Sequence, residues 1–116
     1  MVVDAANHFE GVDRVRSIIR SGENVPLAFS VLNDYKAAKE SGVFTPKNCE
    51  GEKCFSPGRH AVLAGNAALD ENENFHGLYV KNSWGPSGSF GFYTIEDAYF
   101  REGLSHFPYW EYLDLK

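Results

Sequence analysis

Long apolar runs and an excess of basic residues are both missing from this sequence of 116 residues. No apolar run approaches the roughly 18 residues that a membrane-spanning helix requires, so we expect no spanning helix. The segment from Met1 to Ala6 has neither a basic region nor a long apolar stretch, so we do not expect a signal peptide. The net charge is −5, from 16 acidic residues and 11 lysines and arginines, with no basic stripe. We therefore expect neither a membrane nor a nucleic acid as a partner.

Cysteine is also scarce, since the sequence contains only Cys49 and Cys54. Their spacing is longer than the Cys-x2-Cys of a zinc knuckle, no second ligand pair follows, and His60 and His76 are too scattered to complete a site. We therefore expect neither a metal nor a cofactor. The two cysteines either close a small disulfide loop or remain free thiols, and the sequence leaves both alternatives open. A disulfide would favour a secreted or a lysosome- or vacuole-like compartment, and the compartment is otherwise unassigned.

The composition and periodicity predict a single domain of the α+β class over residues 1–116. Hydrophobic residues make up 43% of the chain and charged residues 23%, which is ordinary for one globular domain. Val12, Val15 and Ile18 form one face of a helix over residues 13–20. The other predicted elements are strands over 25–32, 43–45, 60–68, 77–83 and 90–95, short helices over 35–40 and 96–101, and an aromatic tail at 108–113. We expect a small antiparallel, partly closed barrel-like sheet with one or two short helices, and a tail that packs on the sheet or on a partner.

A histidine and an asparagine lie on two neighbouring predicted strands and are suited to acid–base chemistry. A neutral imidazole accepts a proton at one ring nitrogen and donates at the other, and an amide oxygen orients it without adding negative charge. His60 and Asn82 form such a pair, and Trp84 would keep water from their hydrogen bond. The structural alternative is that His60 is an ordinary core or edge histidine and that Asn82 belongs to a turn.

The order of these segments resembles the C-terminal half of the papain family of cysteine peptidases, which use a Cys-His-Asn arrangement. The run Lys-Asn-Ser-Trp-Gly at 81–85 is the specific part of the resemblance, and His-Ala-Val-Leu-Ala at 60–64 is similar to the family's histidine strand. Weaker pieces follow the family's order at 25–31, 41–44 and 91–95. The resemblance extends from about residue 12 to about residue 100, and it implies the barrel-like lobe of the papain-like fold.

The resemblance implies a role for each matching residue. His60 would be the general base and later the general acid, and Asn82 would hold its ring. Trp84 would shield their hydrogen bond and border the leaving-group side of the cleft. Ala61 and Ser30 fall where the family lines its main specificity pocket. The implied substrate is a peptide or a protein, and the reaction needs neither a metal nor a cofactor.

The family's nucleophile has no counterpart in this chain. That cysteine lies in a Cys-Gly-Ser-Cys-Trp type of segment roughly 130 residues or more before the histidine, whereas only 59 residues precede His60. The glutamine of the oxyanion hole is missing with it. Arg59 also stands where many members carry Asp or Asn, and Gly-Asn-Ala at 65–67 replaces the usual Val-Gly-Tyr. We expect a C-terminal lobe with a natural C-terminus, whose N-terminal Cys-bearing lobe comes from the same precursor or from a second chain.

These observations lead to three functional hypotheses. The first is a cysteine-type peptidase of which this chain supplies half of the catalytic site. The chain alone would be inactive, because a general base without its nucleophile activates water only weakly. The alternative is a catalytically inactive module that binds a peptide or a partner. The third, a self-contained hydrolase that uses Cys54, is disfavoured because Cys54 lies in a loop with Glu50, Glu52 and Pro57, whereas a reactive thiolate needs an electropositive site.

Overall fold

The computed structural model describes residues 1–49, 53–69, 71–81 and 91–114. These residues form seven strands, β1 (Val2–Asp4), β2 (Val25–Val31), β3 (Val43–Phe44), β4 (Gly58–Leu69), β5 (Phe75–Lys81), β6 (Phe92–Glu96) and β7 (Tyr109–Tyr112). The helices are α1 (His8–Arg20), α2 (Tyr35–Ser41), α3 (Asp97–His106) and a short 3-10 helix (Pro46–Cys49). None of the helices in the described part is both long enough and apolar enough to span a membrane.

The seven strands form one sheet in the order β1-β7-β2-β4-β5-β6-β3. Neighbouring strands are antiparallel, except that β3 runs parallel to β6. Helix α1 packs against β1, β2 and β4, whereas α3 packs against β2, β5, β6 and β7. The predicted α+β lobe, with a mostly antiparallel sheet and few helices, is confirmed. The sheet is not a closed barrel, since β1 and β3 lie at the two ends of the strand order.

Helix α1 begins at His8, earlier than the predicted residue 13, because a polar turn directs the chain into it. In this turn the Asp4 carboxylate accepts two backbone hydrogen bonds, at 2.9 and 3.1 Å. The predicted apolar face of the helix, formed by Val12, Val15 and Ile18, is buried. Burying an aliphatic side chain of this size contributes about 1.5–3 kcal/mol, so this face fixes the helix on the sheet.

An aromatic cluster joins α3 to the sheet. The ring centroids of Phe29 and Phe44 lie 5.5 Å apart, and those of Phe44 and Tyr99 lie 5.4 Å apart. On the other side of α3, Phe100 lies 5.9 Å from Phe29 and 5.0 Å from Trp110. Each aromatic pair adds about 0.5–1.5 kcal/mol to the effect of burial. Much of the chain's aromatic content is therefore used in the core between α3, β2 and β7.

The sequence-based prediction missed β1 and β7 as strands. Both are short, and each pairs with a distant part of the chain. The Met1 amino group donates to the carbonyl of Tyr112 at 2.7 Å, and the Tyr112 N–H donates to the carbonyl of Met1 at 3.0 Å. In the same pair of strands, Val3 lies opposite Trp110. The predicted aromatic tail thus lies in the sheet as β7, beside β1 and β2.

Candidate active site

His60 is the third residue of β4, the strand that lies between β2 and β5. It pairs with Phe29 of β2, and the two rings meet edge to face with their centroids 6.4 Å apart. The His60 side chain is half-buried, so part of it remains open to a reactant. Further along β4, Leu63 pairs with Lys81, the last residue of β5. The two strands predicted to be neighbours are therefore paired with each other.

Asn82 and Trp84, the predicted orienting amide and its shield, lie outside the described residues. Their roles stay predictions. The structure describes the strand that leads to them, since Lys81 directly precedes Asn82 in the sequence. Lys81 is paired with Leu63, and Leu63 lies on β4, the strand that also carries His60. The order of the two strands is thus the one that an imidazole–amide pair would need.

Arg59, the residue before His60, is held by the C-terminal part of the chain. Its guanidinium carbon lies 4.8 Å from the ring centroid of Phe107 and 4.6 Å from that of Tyr109. One guanidinium nitrogen lies 3.3 Å from a carboxylate oxygen of Glu111, and another donates to the carbonyl of Ala28 at 3.4 Å. A cation–π contact is worth about 0.5–1 kcal/mol at an exposed site, and an exposed ion pair about 0–1 kcal/mol. These contacts together fix the start of β4, and with it the backbone at His60, against β2 and β7.

In the sequence, Arg59 stands out only as a departure from the family pattern, and the three side chains that hold its guanidinium, those of Phe107, Tyr109 and Glu111, were not predicted. The signal for two of them is present in the run Tyr-Trp-Glu-Tyr at 109–112. Trp110 and Tyr112 are buried, whereas Tyr109 and Glu111 are half-buried on the opposite face. This alternation is typical of a strand. Phe107 precedes the strand and carries no such signal.

Ser30 and Ala61, the two residues expected to line a specificity pocket, lie in different surroundings. Ser30 is 4% exposed, and a β-carbon added at Gly103 of α3 would lie 3.3 Å from its β-carbon. The space at this contact has no room for a water molecule, and the Ser30 hydroxyl has no hydrogen-bond partner among the described residues. Ala61 is exposed and borders a groove of about 280 Å³, together with Ala28 and Glu111. Of the two residues, Ala61 is the one open to a ligand.

Cys49 and Cys54 are bonded to each other, with their α-carbons 5.4 Å apart. Asn33 holds the loop that follows them. Its backbone N–H donates to the carbonyl of Phe55, and its side-chain oxygen accepts the Phe55 N–H, both at 2.9 Å. These are the only two cysteines of the chain, and a disulfide-bonded sulfur is not a thiolate nucleophile. In this state Cys54 cannot serve His60, which further disfavours a self-contained hydrolase.

A buried polar network ties α2, α3 and the 3-10 helix to the end of β2. The Tyr99 hydroxyl donates to Asp34 at 2.6 Å and accepts the N–H of Leu32 at 2.8 Å. Asn48 donates to the other carboxylate oxygen of Asp34 at 3.1 Å. Burial raises the pKa of Asp34, although the hydrogen bonds from Tyr99 and Asn48 act against it. Burial and the neighbouring Asp34 carboxylate likewise raise the pKa of Tyr99. The network is structural, since Asp34 is 2% exposed and Tyr99 is fully buried.

A second imidazole, that of His8, is buried among α1, α3 and β7. Its Nδ1 accepts the indole N–H of Trp110 at 3.0 Å, so its Nε2 carries the hydrogen and donates to Asp97 at 2.7 Å. Arg101 pairs with the other oxygen of Asp97 at 2.8 Å. Burial by itself raises the pKa of Asp97, but His8 and Arg101 outweigh it, and the pKa lies below its ordinary value. Since both nitrogens of His8 are engaged and it is 3% exposed, it joins structural elements rather than reacting.

The described residues therefore offer acid–base chemistry without a nucleophile of their own. His60 is half-buried and lies next to Ala61, which borders an open groove. In the part of the chain that the structure describes, no group of three or more His, Cys, Asp or Glu side chains is arranged to hold a metal ion. Both cysteines are in the disulfide, so the described residues contain no free thiol.

Comparison with known proteins shows a likeness of fold. No protein-family model and no curated protein matches the chain in sequence. PepW from Lactobacillus rhamnosis HN001 matches with a TM-score of 0.61 and 18% identity, over 97% of this chain and 27% of PepW. Xylellain, a cysteine protease from Xylella fastidiosa, matches with a TM-score of 0.58 and 19% identity, over 90% of this chain and 37% of xylellain. The bromelain protease from Ananas comosus matches with a TM-score of 0.55 and 23% identity, over 86% of this chain and 44% of bromelain.

These matches confirm the resemblance to papain-like cysteine proteases at the level of the fold. All three identities lie below 25%, so the likeness concerns the fold alone. The matched region makes up between 27% and 44% of the three proteins. The partial coverage agrees with a chain that corresponds to one lobe of such a protease.

Proposed function

We propose that this chain supplies the imidazole of a cysteine-type peptidase, and that a second lobe supplies the thiol. One observation supports the proposal above the others. The strand that carries His60 pairs with β5, after which the sequence continues directly into Asn82, within a fold shared with cysteine proteases. A histidine with only a structural role would not need to lie on a strand that is paired with the strand leading to Asn82.

In the assembled enzyme, His60 would hold the proton of the attacking thiol, so that the thiolate is the reacting species. The thiolate attacks a peptide carbonyl, and the imidazolium then donates its proton to the leaving amine. Asn82 would orient the ring by accepting its N–H, and Trp84 would keep water from that hydrogen bond. Arg59, fixed by two aromatic rings, would hold the backbone of β4 while the imidazole changes its charge.

The isolated chain would not hydrolyse peptides. Its two cysteines are bonded to each other, so it has no thiolate to offer. The chain would become active only when joined by a papain-like N-terminal lobe that carries a Cys-Gly-Ser-Cys-Trp type of segment. Removal of metal ions should have no effect on the assembled enzyme, because no step of this mechanism uses one.

The test is reconstitution of peptide hydrolysis. The 116-residue chain is mixed with a recombinant N-terminal lobe of this type, encoded in the same genome, and cleavage of a quenched fluorescent peptide is followed. Activity should require both parts and be abolished by iodoacetamide. His60→Ala should lower the rate by about 10²–10⁴-fold, the usual contribution of a general acid–base group. Asn82→Ala should lower kcat with little change in KM, because it loosens the base rather than the binding site.

His76→Ala is the matched control. His76 is an exposed histidine on β5 that pairs with Glu96 at 3.0 Å, and it should leave the rate within about twofold. Hydrolysis that survives alkylation, or that His60→Ala leaves intact, would show that the proposed chemistry is wrong.

The second candidate function is a binding module without catalysis. The disulfide between Cys49 and Cys54 favours it, since the chain by itself has no nucleophilic thiol. In that case the isolated chain should bind peptides in the groove beside Ala61, and the His60→Ala variant should bind them equally well. Titration of the chain with a fluorescein-labelled peptide library, followed by anisotropy, separates the two candidates.

A further inference from the structure

The Cys49–Cys54 disulfide joins the 3-10 helix to the part of the chain that enters β4. Cys49 is the last residue of the 3-10 helix, and Cys54 lies in residues 53–57, which lead into β4 and which we call the entry segment. The two α-carbons lie 5.4 Å apart, an ordinary distance for a disulfide. The chemistry proposed for His60 uses neither cysteine, so the pair is open to a different role.

Each sulfur of the disulfide lies against an oxygen that could accept a hydrogen bond from a thiol. Cys49 Sγ is 3.4 Å from the side-chain oxygen of Asn33, and Cys54 Sγ is 3.7 Å from the carbonyl oxygen of Pro46. A disulfide sulfur has no hydrogen to donate, whereas a thiol is a weak donor. These two contacts therefore become hydrogen bonds only when the disulfide is reduced. The fold holds an acceptor for each thiol, so the reduced pair fits the same surroundings.

The two sulfurs differ in their access to solvent. Cys49 is 4% exposed and belongs to the core, whereas Cys54 is half-buried in the entry segment. Thiol–disulfide exchange begins when an external thiolate attacks a sulfur that it can reach. Cys54 Sγ is thus the sulfur open to attack, and Cys49 Sγ is the leaving group. As a thiol, Cys49 would donate to the Asn33 oxygen beside it.

The entry segment is also held by hydrogen bonds to the end of β2 and the residues that follow it. Asn33 exchanges two hydrogen bonds of 2.9 Å with the backbone of Phe55, and the Ser56 hydroxyl donates to the carbonyl of Val31 at 2.8 Å. Local hydrogen bonds of this kind open and close without unfolding of the whole domain. A covalent cross-link limits such opening, because it removes conformations in which the joined residues are apart. The disulfide therefore affects how firmly the chain is held just before β4, whose third residue is His60.

We propose that Cys49–Cys54 is a reversible thiol–disulfide exchange site that controls how firmly the entry segment is held. A dithiol reductant supplies the electrons. One of its thiolates bonds to Cys54 Sγ, and the electron pair of the broken S–S bond goes to Cys49 Sγ, which takes up a proton. The second thiolate of the reductant then displaces Cys54 Sγ, which is protonated in turn, and the reductant becomes a disulfide. The inference does not rest on the proposed function, because it concerns the isolated chain.

The first test is amide hydrogen exchange of the full 116-residue chain, oxidised and after treatment with dithiothreitol. The amide of Phe55, which donates to Asn33, is the reporter. It should exchange about tenfold or more faster in the reduced chain, because the entry segment can then open by itself. Amides of β6, which pairs with β5, are the control and should change by less than about twofold. Unchanged exchange at Phe55 would overturn the proposal, and so would loss of protection in every strand, since the disulfide would then hold the whole fold together.

The second test identifies the sulfur that exchanges. Cys49→Ser leaves the thiol of Cys54, and Cys54→Ser leaves that of Cys49. Addition of oxidised glutathione, followed by mass spectrometry, should give the mixed disulfide about tenfold or more faster in Cys49→Ser, because Cys54 is the accessible residue. Thermal melts establish that both variants are folded, and Cys54→Ala replaces Cys54→Ser if the latter melts early. Equal rates, or a faster rate at Cys49, would overturn the assignment.

The third test is reversibility in the wild-type chain. Dithiothreitol should convert the disulfide to the dithiol without denaturant, and oxidised glutathione should restore it, as followed by alkylation and mass spectrometry. A disulfide that is reduced only after urea is added would be a fixed structural link, and the proposal would be wrong.

Discussion

Replacing Gly77 by alanine tests the close pairing of β5 with β6. Gly77 lies opposite Glu96, the last residue of β6. A β-carbon at Gly77 would collide with the carbonyl oxygen of Ile95 and lie 2.9 Å from the α-carbon of Glu96. Ordinary contacts of a β-carbon begin at 3.4 Å, so the end of β6 must move by about 0.5 Å or more. The clash is with the main chain, which cannot rotate away as a side chain can.

The expected cost follows from what the end of β6 supports. Glu96 leads directly into α3, whose first residue, Asp97, is bonded to His8. A shift of the strand therefore disturbs the start of α3 as well as the sheet. Overpacking typically costs about 1–3 kcal/mol, and we expect about 2–3 kcal/mol here. Each kcal/mol corresponds to about 4 °C for a domain of this size, so Gly77→Ala should lower the Tm by about 8–12 °C.

Gly58→Ala, at the start of β4, is the control for this prediction. No heavy atom lies within 4 Å of a β-carbon built there. The change should be neutral or should stabilise the protein by up to about 1 kcal/mol, because alanine restricts the unfolded chain. Calorimetry and urea unfolding of the two variants measure the difference. A Tm of Gly77→Ala within about 2 °C of the wild-type value would refute the described contact between β5 and β6.

Two other predictions concern buried polar groups. Ser30→Ala removes a buried hydroxyl that has no hydrogen-bond partner among the described residues, so the free energy of unfolding should stay unchanged or rise by about 1 kcal/mol. Ser56→Ala is the control, because the Ser56 hydroxyl donates to the carbonyl of Val31 at 2.8 Å. Its loss should lower the free energy of unfolding by about 0.5–1.5 kcal/mol. A larger loss from Ser30→Ala than from Ser56→Ala in urea unfolding would contradict this. Because the pKa of Asp97 is lower in the folded state, its carboxylate stabilises the fold fully above the ordinary value of 3.8, and this contribution is lost as the pH falls through the folded pKa. Unfolding free energies measured from neutral pH into acid should fall more steeply for the wild type than for Asp97→Asn, and parallel curves would disprove the shift.

Patterns within one segment were sufficient to predict the elements that form the centre of the sheet. The apolar run at 25–32 and the strand at 60–68 correspond to β2 and β4, which pair over seven residues each. The helical spacing of Val12, Val15 and Ile18 corresponds to the buried face of α1. These segments carry their own signal, because each contains regularly spaced apolar residues that the structure buries. The pairing of β4 with β5, on which the candidate site depends, followed from their order and spacing.

Other features depend on residues that are distant in the sequence. β1 pairs with β7, and β7 also pairs with β2, so both strands depend on partners that are distant in the sequence. The burial of Ser30 depends on Gly103 of α3, and the environment of Arg59 depends on Phe107 and Tyr109. The spacing of two cysteines allows a disulfide without requiring it, and the 3-10 turn that ends at Cys49 was not predicted. No local pattern contains this information.

Side chains on the two faces of the sheet contribute differently to the stability of the lobe. On the core face, helices are attached through buried polar contacts such as Tyr99 with Asp34 and His8 with Asp97. Leu63, on the opposite face, is 36% exposed. Substitution at Gly77 should therefore lower the Tm of the isolated chain, whereas Leu63→Lys should leave the Tm nearly unchanged, and scanning calorimetry of the two variants measures the difference. A Leu63→Lys variant that melts as early as Gly77→Ala would show that the Leu63 side chain contributes to the core.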